Sequence, residues 1–475
     1  MKNKFAGCRK WSSIVVALIF AASLASAAVN TWQGSVSSDF NDPLNWSLGA
    51  LDAADTSTFA GAALVQPNVS ADITVAKINF ALGSTNHVLS SSPGASLFLT
   101  TSPVVVSQSG TGTNTVSANL VLSGGGVKQF QQAGGCTLWM SGSISESTPD
   151  TMVQYVRVSS AGGKYLITGQ NTYSGDTTFH DGTFTITSFG NAGEPSSVGT
   201  SGTIWLGNAG SSRDATLVYA GAGETTDKTI MFGAGSGART ISTLGTAGPL
   251  VLNAHGINGT GDFPKLVFAG DSDGNVFNGL IADPSASTST AVGKSGSGTW
   301  TFTADNTYKG TTILNRNGGT LLIDGDQSAA TGAVTVNSAA MLGGEGIVGG
   351  ATTVGNGGRL LATQETGSPS FATDLTLLGN SAMTFDAVEA VGVAGTLTLA
   401  NNWTLTLGDG FKNGGSTVLF RYGTLGASPD LEPTFDVSGL GFTPTGTLSL
   451  TDTGSEIVLN GVRVPPSGMT MIVVR

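Results

Sequence analysis

Few residues of this 475-residue chain have the types and spacing that catalysis needs. Gly270-Asp271-Ser272-Asp273-Gly274 places a hydroxyl between two carboxylates. A serine nucleophile requires a histidine base and an oxyanion hole built from backbone N–H groups. Asp273 would crowd that backbone, and the nearby His255 lies in an Asn- and Gly-rich stretch that we interpret as a turn. We therefore interpret the segment as a turn and predict no catalytic residue.

The same segment offers a calcium pattern, Asp271-x-Asp273-x-Asn275. An EF-hand loop would continue with Gly at its sixth position and Glu at its twelfth. Val276 and Ala282 occupy those positions, so the EF-hand pattern fails. We assign no metal ligand and no cofactor, and leave open a calcium site formed by the turn residues Asp271 and Asp273.

A local acidic pair, Asp386 and Glu389, is the other candidate for chemistry. β-Helical enzymes such as pectin lyases combine acidic calcium ligands with an Arg or Lys base on one face, and no cation lies near this pair in sequence. We interpret the two carboxylates as solvated loop charges. Residues from different coils could still converge, so a polysaccharide-active enzyme stays open as the alternative function.

Tryptophan rings could stack on sugars. Most lie in apolar strands, where core packing is the preferred interpretation, whereas Trp32 and Trp46 flank turns and are predicted to be the best exposed platforms or, alternatively, an end cap. The six residues considered are Trp32, Trp46, Trp139, Trp205, Trp300 and Trp403.

The elements that would position these side chains are short strands. Charged residues make up 11% of the chain, the hydrophobic fraction is 39%, and 70 residues are glycine. Alternating runs such as Thr299–Thr303 are bounded by Gly, Asn, Asp or Ser, which favour turns. No segment shows a sustained helical period, so we predict an all-β chain.

Internal repetition defines the predicted architecture. Residues 162–186 and 294–325 share a strand, an Asn-Thr-Tyr-x-Gly segment, a threonine-bearing strand, a Gly turn and an apolar strand. Such a unit buries its apolar face only by stacking on neighbours. We predict a right-handed parallel β-helix, in preference to a β-sandwich array, with Asn171 and Asn306 at turns where their side chains bond neighbouring backbone.

These residues carry a resemblance. Lys294-x-Gly296-x-Gly298-x-Trp300, followed by Asn306-Thr307-Tyr308-x-Gly310, resembles the autotransporter-associated β-strand repeat. The resemblance implies a passenger-type β-helix displayed at, or released from, a bacterial cell surface. The first unit lacks the Lys-x-Gly opening, and residues 401–475 are too few for the usual C-terminal translocator barrel, so we expect a passenger without it.

Residues 1–27 have the order of a secretory signal peptide: Lys2, Lys4, Arg9 and Lys10, an apolar run from Ile14 to Leu24, and a small-x-small site at Ala25-Ser26-Ala27. We expect a solenoid cap in 28–110, the β-helix in 111–400 and a C-terminal cap region in 401–475. The apolar run is shorter than the ~20 residues that span a bilayer, which favours a signal peptide over an uncleaved anchor, and Met469–Val474 is also too short, so no transmembrane segment is predicted in the mature chain.

The mature chain would carry 16 basic and 31 acidic residues, a net charge of −15, which disfavours nucleic acid and anionic membranes as partners. Only Cys136 would remain of the two cysteines, so no intramolecular disulfide is predicted. We expect a secreted or cell-surface structural or adhesive scaffold without catalysis of its own, with polysaccharide or another cell surface as partner. A polysaccharide-active enzyme, a glycan-binding protein and a plain carrier are the alternatives.

Overall fold

The fold was analysed in a computed structural model that describes residues 28–109, 112–133, 135–158, 163–208, 212–233, 235–258, 265–386, 389–411 and 415–463. The predicted signal peptide, residues 1–27, lies outside these ranges. Within them the chain is all-β, with 43 strands and two short 3-10 turns, η1 (Pro43–Asn45) and η2 (Ser438–Leu440). The strands form a parallel β-solenoid of about 16 turns, so the predicted fold class is confirmed.

Sheet A runs the length of the solenoid as 18 parallel strands. Register partners are one coil apart, and the coils differ in length, from the short step between Met341 and Arg359 to the long step between Thr404 and Thr434. With strands numbered in chain order, sheet A contains β1 (Val29–Thr31), β2 (Thr56–Phe59), β5 (Lys77–Phe80), β8 (Val104–Ser109), β11 (Val127–Ala133), β14 (Met152–Arg157), β16 (Thr177–Phe179), β18 (Thr203–Leu206), β20 (Glu224–Gly233), β22 (Leu250–Asn258), β24 (Asn275–Phe277), β26 (Thr299–Phe302), β28 (Gly319–Ile323), β31 (Ala340–Gly343), β34 (Arg359–Ala362), β37 (Ala382–Phe385), β39 (Thr404–Leu407) and β41 (Thr434–Asp436).

Sheet B forms a second wall of parallel strands and ends in an antiparallel hairpin, in which β43 pairs with both β40 and β42. Its strands are β3 (Asn68–Val69), β6 (Val88–Ser91), β9 (Thr113–Val116), β12 (Thr137–Met140), β15 (Lys164–Ile167), β17 (Gly182–Ile186), β19 (Ala215–Tyr219), β21 (Ala238–Thr243), β23 (Lys265–Gly270), β25 (Ala291–Lys294), β27 (Thr312–Leu314), β30 (Val334–Val336), β33 (Thr352–Val354), β36 (Leu375–Leu377), β38 (Val391–Leu399), β40 (Gly415–Leu425), β42 (Ser449–Asp452) and β43 (Glu456–Val462).

The third wall is discontinuous. Near the N-terminal end it is a four-stranded sheet, and near the C-terminal end a ladder of short strands leads into β38. The first set is β4 (Ile73–Val75), β7 (Ser96–Leu99), β10 (Asn119–Leu122) and β13 (Ile144–Glu146), and the second is β29 (Asp326–Gln327), β32 (Ile347–Val348) and β35 (Ser370–Phe371).

In most strands, alternation of side chains places one row inside the coil and one outside. In β11, Lys128, Phe130 and Gln132 are buried and their neighbours are partly exposed. Phe130 stacks on Tyr155 of the next coil with ring centroids 5.2 Å apart, and Tyr155 stacks on Phe179 at 5.6 Å. The core is therefore a column of stacked residues, as expected when each coil buries its apolar face against its neighbours.

The N-terminal end is closed by the segment that follows β1. Trp46 pairs antiparallel with Trp32, and Ser47 N–H donates to the carbonyl of Thr31. This pairing covers the edge of β1 that faces away from β2. An uncovered edge strand would offer a row of unpaired backbone groups to other chains.

Candidate functional site

The two repeat asparagines bond the backbone of the preceding coil. Asn171 is fully buried, and its Oδ1 accepts from the N–H of Ile144 at 2.9 Å. Asn306 is equally buried and accepts from the N–H of Ile281 at 2.7 Å. The predicted role of both asparagines is therefore confirmed.

The tyrosine of each repeat points into the core. The Tyr173 hydroxyl lies 2.7 Å from Thr177 Oγ1, and the Tyr308 hydroxyl lies 2.6 Å from Thr312 Oγ1. Complete burial raises the pKa of Tyr308 to about 12 and raises that of Tyr173 well above its usual range. These hydroxyls are thus un-ionised at neutral pH and serve as internal hydrogen-bonding groups.

The repeat glycines mark close approaches between coils. A Cβ atom at Gly175 would lie 2.4 Å from the carbonyl oxygen of Thr151, and one at Gly310 would lie 2.2 Å from that of Thr290. Real Cβ atoms do not come so close to backbone. Together with the Asn contacts, this assigns the shared Asn and Gly positions of the two motifs to coil stacking, whereas each Tyr hydroxyl bonds a threonine of its own coil.

One buried cation of the solenoid, Lys294, bonds backbone carbonyl groups at the end of strand β25. Lys294, the first residue of the second repeat motif, is fully buried and donates to the carbonyls of Ser295, Gly296 and Gly318 at 3.0, 3.0 and 2.7 Å. Burial lowers its pKa to about 8, while Asp271 and Asp273 act in the opposite direction. Its bonds to three carbonyls stabilise the charged form, so we assign Lys294 a structural role.

The Asp271–Asp273 segment uses its polar groups within the stack. Asp271 Oδ1 accepts from both the N–H and the hydroxyl of Ser297 at 2.9 Å, and these bonds lower the pKa of Asp271. Asp273 accepts from Thr299, and Ser272 is buried against Asn275. The described residues contain no group of three or more His, Cys, Asp or Glu side chains placed to hold a metal ion.

His255 is not in a turn, as the sequence was interpreted, but in strand β22. Its backbone pairs with Ile230 of β20, because the long strands β20 and β22 extend through the Asn- and Gly-containing stretch. Composition alone therefore gave the wrong local structure here.

Asp386 and Glu389 do not act as a pair. Asp386 Oδ1 accepts from the N–H of Gln364 at 2.9 Å, whereas Glu389 contributes its backbone carbonyl to Ser368. Burial raises the pKa of Asp386, with smaller contributions from Asp409 and Glu365, which belong to neighbouring coils. Carboxylates of the preceding and following coils thus affect Asp386 electrostatically.

The prediction that Trp32 and Trp46 are the best exposed platforms is wrong. They are only 7% and 4% exposed and pack edge to face at 5.2 Å in a cluster with Phe40 and Phe59. Trp46 Nε1 donates to the carbonyl of Phe40 at 2.8 Å. Their Gly- and Asn-rich surroundings are turns that fold over the rings, which agrees with the end-cap alternative.

The other rings divide into core and surface. Trp300 and Trp403 are buried, so the core interpretation is confirmed for them. It is wrong for Trp139 and Trp205, and Trp139 is 39% exposed on the outside of β12. Trp205 is partly exposed, because it occupies an outward position of β18.

Trp205 stands in a groove of about 230 Å³ on the outer face of sheet A. Its register partners are Thr178 of the preceding coil and Met231 of the following one, and Gln154 lies one coil further back. The groove is lined by Met152, Gln154, Asp176, Thr178, His180, Trp205, Gly207, Asn208 and Gly233. Only Trp205 was named from the sequence, because side chains on other coils, such as Gln154 and Thr178, converge with it only once the coil length is known.

A larger concavity of about 510 Å³ lies near the C-terminal end, along β32, β35, β38 and β40. Its outward-facing row of register partners is Ile347, Ser370, Gly392 and Arg421. Ser370 and Gly392 have small side chains, so the surface is concave there. Arg421 is engaged with Glu456 at 3.1 Å. This concavity is mainly apolar and carries no convergent set of polar groups among the described residues that line it.

Comparison with known proteins gives a local similarity. The chain is 46% identical over 70 residues to the adhesin BmaC autotransporter of Brucella suis biovar 1 (strain 1330), which is 15% of this chain and 2% of the relative. No protein-family model matches the chain, and no solved structure matches it. No helix in the described part of the chain is long and apolar enough to span a membrane. The solenoid and this similarity fit a passenger-type repeat protein.

Proposed function

We propose that this chain is an exported, bacterial-type cell-surface or secreted β-solenoid that serves as a structural or adhesive scaffold without catalysis of its own. The observation that carries the proposal is the use of the repeat motifs. Their Asn and Gly residues act between coils, at 171 and 175 and again at 306 and 310, while each Tyr hydroxyl bonds a threonine four residues later in its own coil. The repeated part of the sequence thus maintains a long rod.

The candidate catalytic groups support the same proposal. Ser272 is buried, and the carboxylates of Asp271 and Asp273 bond Ser297 and Thr299 of the next coil. A nucleophile needs a base within hydrogen-bond reach, whereas the bonds described for these groups are to other residues of the stack. The similarity to a protein named as an adhesin favours surface attachment over a purely mechanical role.

Location and attachment can be tested together. The full chain would be produced in a Gram-negative host. We would determine its N-terminus and its sensitivity to protease added to intact cells. We would also measure how well beads coated with the protein adhere to a polysaccharide layer or to cells. We expect a mature N-terminus at Ala28, digestion from outside the cell, and adhesion above that of beads coated with an equally acidic control protein.

Two results would contradict the proposal. One is retention of the uncleaved chain inside the cell. The other is release of reducing ends or unsaturated products from a polysaccharide panel, abolished by a single Asp or Arg substitution, which would establish the enzyme alternative.

A further inference from the structure

We propose that the groove around Trp205 is a binding site for one neutral pyranose unit of a glycan. This inference rests on the proposed scaffold function and names the class of ligand that the scaffold would hold. It depends on the orientation of Trp205, the polar groups around it, and the size and charge of the groove.

The indole is held in one orientation. Trp205 Nε1 donates to Asp176 Oδ2 at 3.0 Å, and Asp176 Oδ1 accepts from the hydroxyl of Ser201 at 2.5 Å. The ring is therefore tied by its N–H to the preceding coil and cannot turn freely. A fixed aromatic face binds a sugar's C–H face with little loss of side-chain entropy.

Polar groups for sugar hydroxyls surround the ring. Asp176 is a strong acceptor, and Gln154 accepts from Gln129 through Oε1, which makes its amide N–H groups the donors at that wall. His180 Nε2 is buried and has no hydrogen-bond partner among the described residues. An unsatisfied buried polar atom costs about 1–3 kcal/mol. Because this atom is buried, a ligand hydroxyl would remove that cost only by drawing the imidazole toward the groove.

The imidazole of His180 suits a neutral ligand. Burial lowers its pKa, and Asp181 opposes this only in part. A neutral imidazole both donates and accepts, as a sugar hydroxyl does. The lining residues include one carboxylate, Asp176, and no Lys or Arg, so an acidic sugar would meet repulsion without a compensating cation.

The size of the groove limits the ligand to one ring. About 230 Å³ is less than the roughly 300–1,000 Å³ of pockets that enclose a drug-sized molecule. A longer glycan would therefore be held at one unit and leave along the outside of the solenoid. Glycoside hydrolysis requires two carboxyl groups about 5–9.5 Å apart, and the lining supplies one, so the groove fits binding.

A buried cation fixes the wall opposite Gln154. Arg239 is fully buried, with Nε donating to the carbonyl of Gly233 at 2.9 Å and Nη2 to that of Asn208 at 3.1 Å. A Cβ atom at Gly207 would lie 1.9 Å from Arg239 Nε. The wall is thus built of backbone held from behind, as a preformed site requires.

The test is a binding assay with the full chain on an array of gluco-, manno-, galacto- and N-acetylglucosamine oligosaccharides, with oligogalacturonides as acidic probes. We expect at least one neutral series to bind at least tenfold more tightly than the acidic one. Trp205→Ala should weaken that binding at least tenfold, and Trp205→Phe, which keeps a ring, should weaken it less. Trp139→Ala, which removes an exposed ring from sheet B, is the matched control and should have no effect.

Thr178→Arg provides a second test, because it fills the groove from its floor without removing the ring. It should abolish binding while the melting temperature shows that the variant is folded. If folded Trp205→Ala or folded Thr178→Arg bound the neutral glycan with unchanged affinity, the proposed binding site would be wrong. Bead adhesion by the wild type without any neutral glycan bound would also overturn the groove and leave the scaffold function standing, whereas loss of bead adhesion in the wild type would count against the scaffold itself.

Discussion

Two separate stretches of the solenoid carry the same motif, Asn171–Thr177 and Asn306–Thr312, and use it to different extents. Both asparagines accept from a backbone N–H of the coil before them. Asn171 also donates through Nδ2 to the carbonyl of Ser197 at 2.8 Å, whereas Asn306 Nδ2 is buried with no hydrogen-bond partner among the described residues. In both motifs the Asn Oδ1 joins its coil to the preceding one. Whether the Asn Nδ2 is bonded depends on whether the next coil places a carbonyl group near it.

The difference lies in the connection after β17. Residues 187–202 form a long loop, which places Ser197 over Asn171 and Ser201 against Asp176. That loop thus completes the first motif and also fixes the carboxylate that holds Trp205. The comparison shows that a structural repeat can acquire a candidate site when one of its connections lengthens. The following predictions test it, from the largest expected effect to the smallest.

Gly310→Ala and Gly175→Ala should be the most disruptive changes. The new methyl group would meet the backbone of Thr290 or Thr151 at 2.2 or 2.4 Å, and backbone cannot move aside without separating coils. We expect each to cost more than about 3 kcal/mol. Hydrogen exchange of peptides from the affected coils measures the local opening free energy, which suits a repeat protein in which coils contact only their neighbours.

Gly415→Ala is the matched control for the glycine variants. A Cβ atom at this position meets no described residue within 4 Å, so its effect should stay within about 1 kcal/mol. Equal effects of Gly415→Ala and Gly310→Ala would contradict the close-approach role of the repeat glycine.

Lys294→Met should destabilise the second repeat by about 3 kcal/mol, because three buried carbonyls lose their donor. Lys309→Met, at an exposed position of the same repeat, should change stability by less than about 0.5 kcal/mol. The same exchange measurement would report both. A neutral or stabilising result for Lys294→Met would show that the cost of burying the charge exceeds the value of its three bonds.

Asn171→Ala should cost more than Asn306→Ala. Both leave a buried N–H without its acceptor, at about 1–3 kcal/mol, but only the first also removes a donor from the carbonyl of Ser197. We expect a difference of about 1 kcal/mol in local opening free energy. A larger loss of local opening free energy for Asn306→Ala than for Asn171→Ala would contradict this comparison of the two motifs.

Tyr308→Phe should reduce the loss of stability at alkaline pH. Tyrosine in an unfolded chain titrates near pH 10, whereas burial raises the pKa of Tyr308 to about 12. The folded protein therefore keeps a proton that the unfolded chain loses, so this contribution is fully present below pH 10 and declines as the pH rises to 12. The slope of stability against pH should be smaller in the variant by up to about 1.4 kcal/mol per pH unit.

Apart from the control variants, the neutral-pH effect of Tyr308→Phe should be the smallest of the series. It removes one hydrogen bond, to Thr312, worth about 1 kcal/mol. Tyr422→Phe is not a suitable control, because the pKa of Tyr422 is also raised to about 12. Phe302→Leu changes no titrating group, so we expect it to leave the slope of stability against pH unchanged between about pH 10 and 12.

Much of the fold could be predicted from the sequence because the same pattern of alternating strands and turn residues recurs along the chain. Alternation in runs such as Thr299–Phe302 predicts strands, and the motifs around Asn171 and Asn306 predict a repeated unit. The expectation that the two motifs occupy equivalent positions is wrong, because the strand after the first, β16, belongs to sheet A and the strand after the second, β27, belongs to sheet B. Exposure was harder to predict. Trp46 follows a turn and is nonetheless buried, because that turn folds over the end of the rod.

The candidate groove could not be predicted, for a related reason. Gln154, Thr178 and Trp205 are neighbours only because Gln154 pairs with Thr178 and Thr178 pairs with Trp205, two register steps of unequal length. The step from Met341 to Arg359 is shorter than either, so no single period aligns the outward positions. Asp176 is adjacent to the first motif in sequence, but its partner Ser201 belongs to the long loop after β17.

The ladder of sheet A also determines how the molecule would respond to force. Its paired strands follow one another from β1 near one end to β41 near the other, so tension between the two ends of the chain acts on the coils in series. A coil of about 25 residues, as between Val127 and Met152, would release on the order of 80 Å of chain when it detaches. A rod held at one end would therefore lengthen stepwise under load, with the remaining coils still stacked.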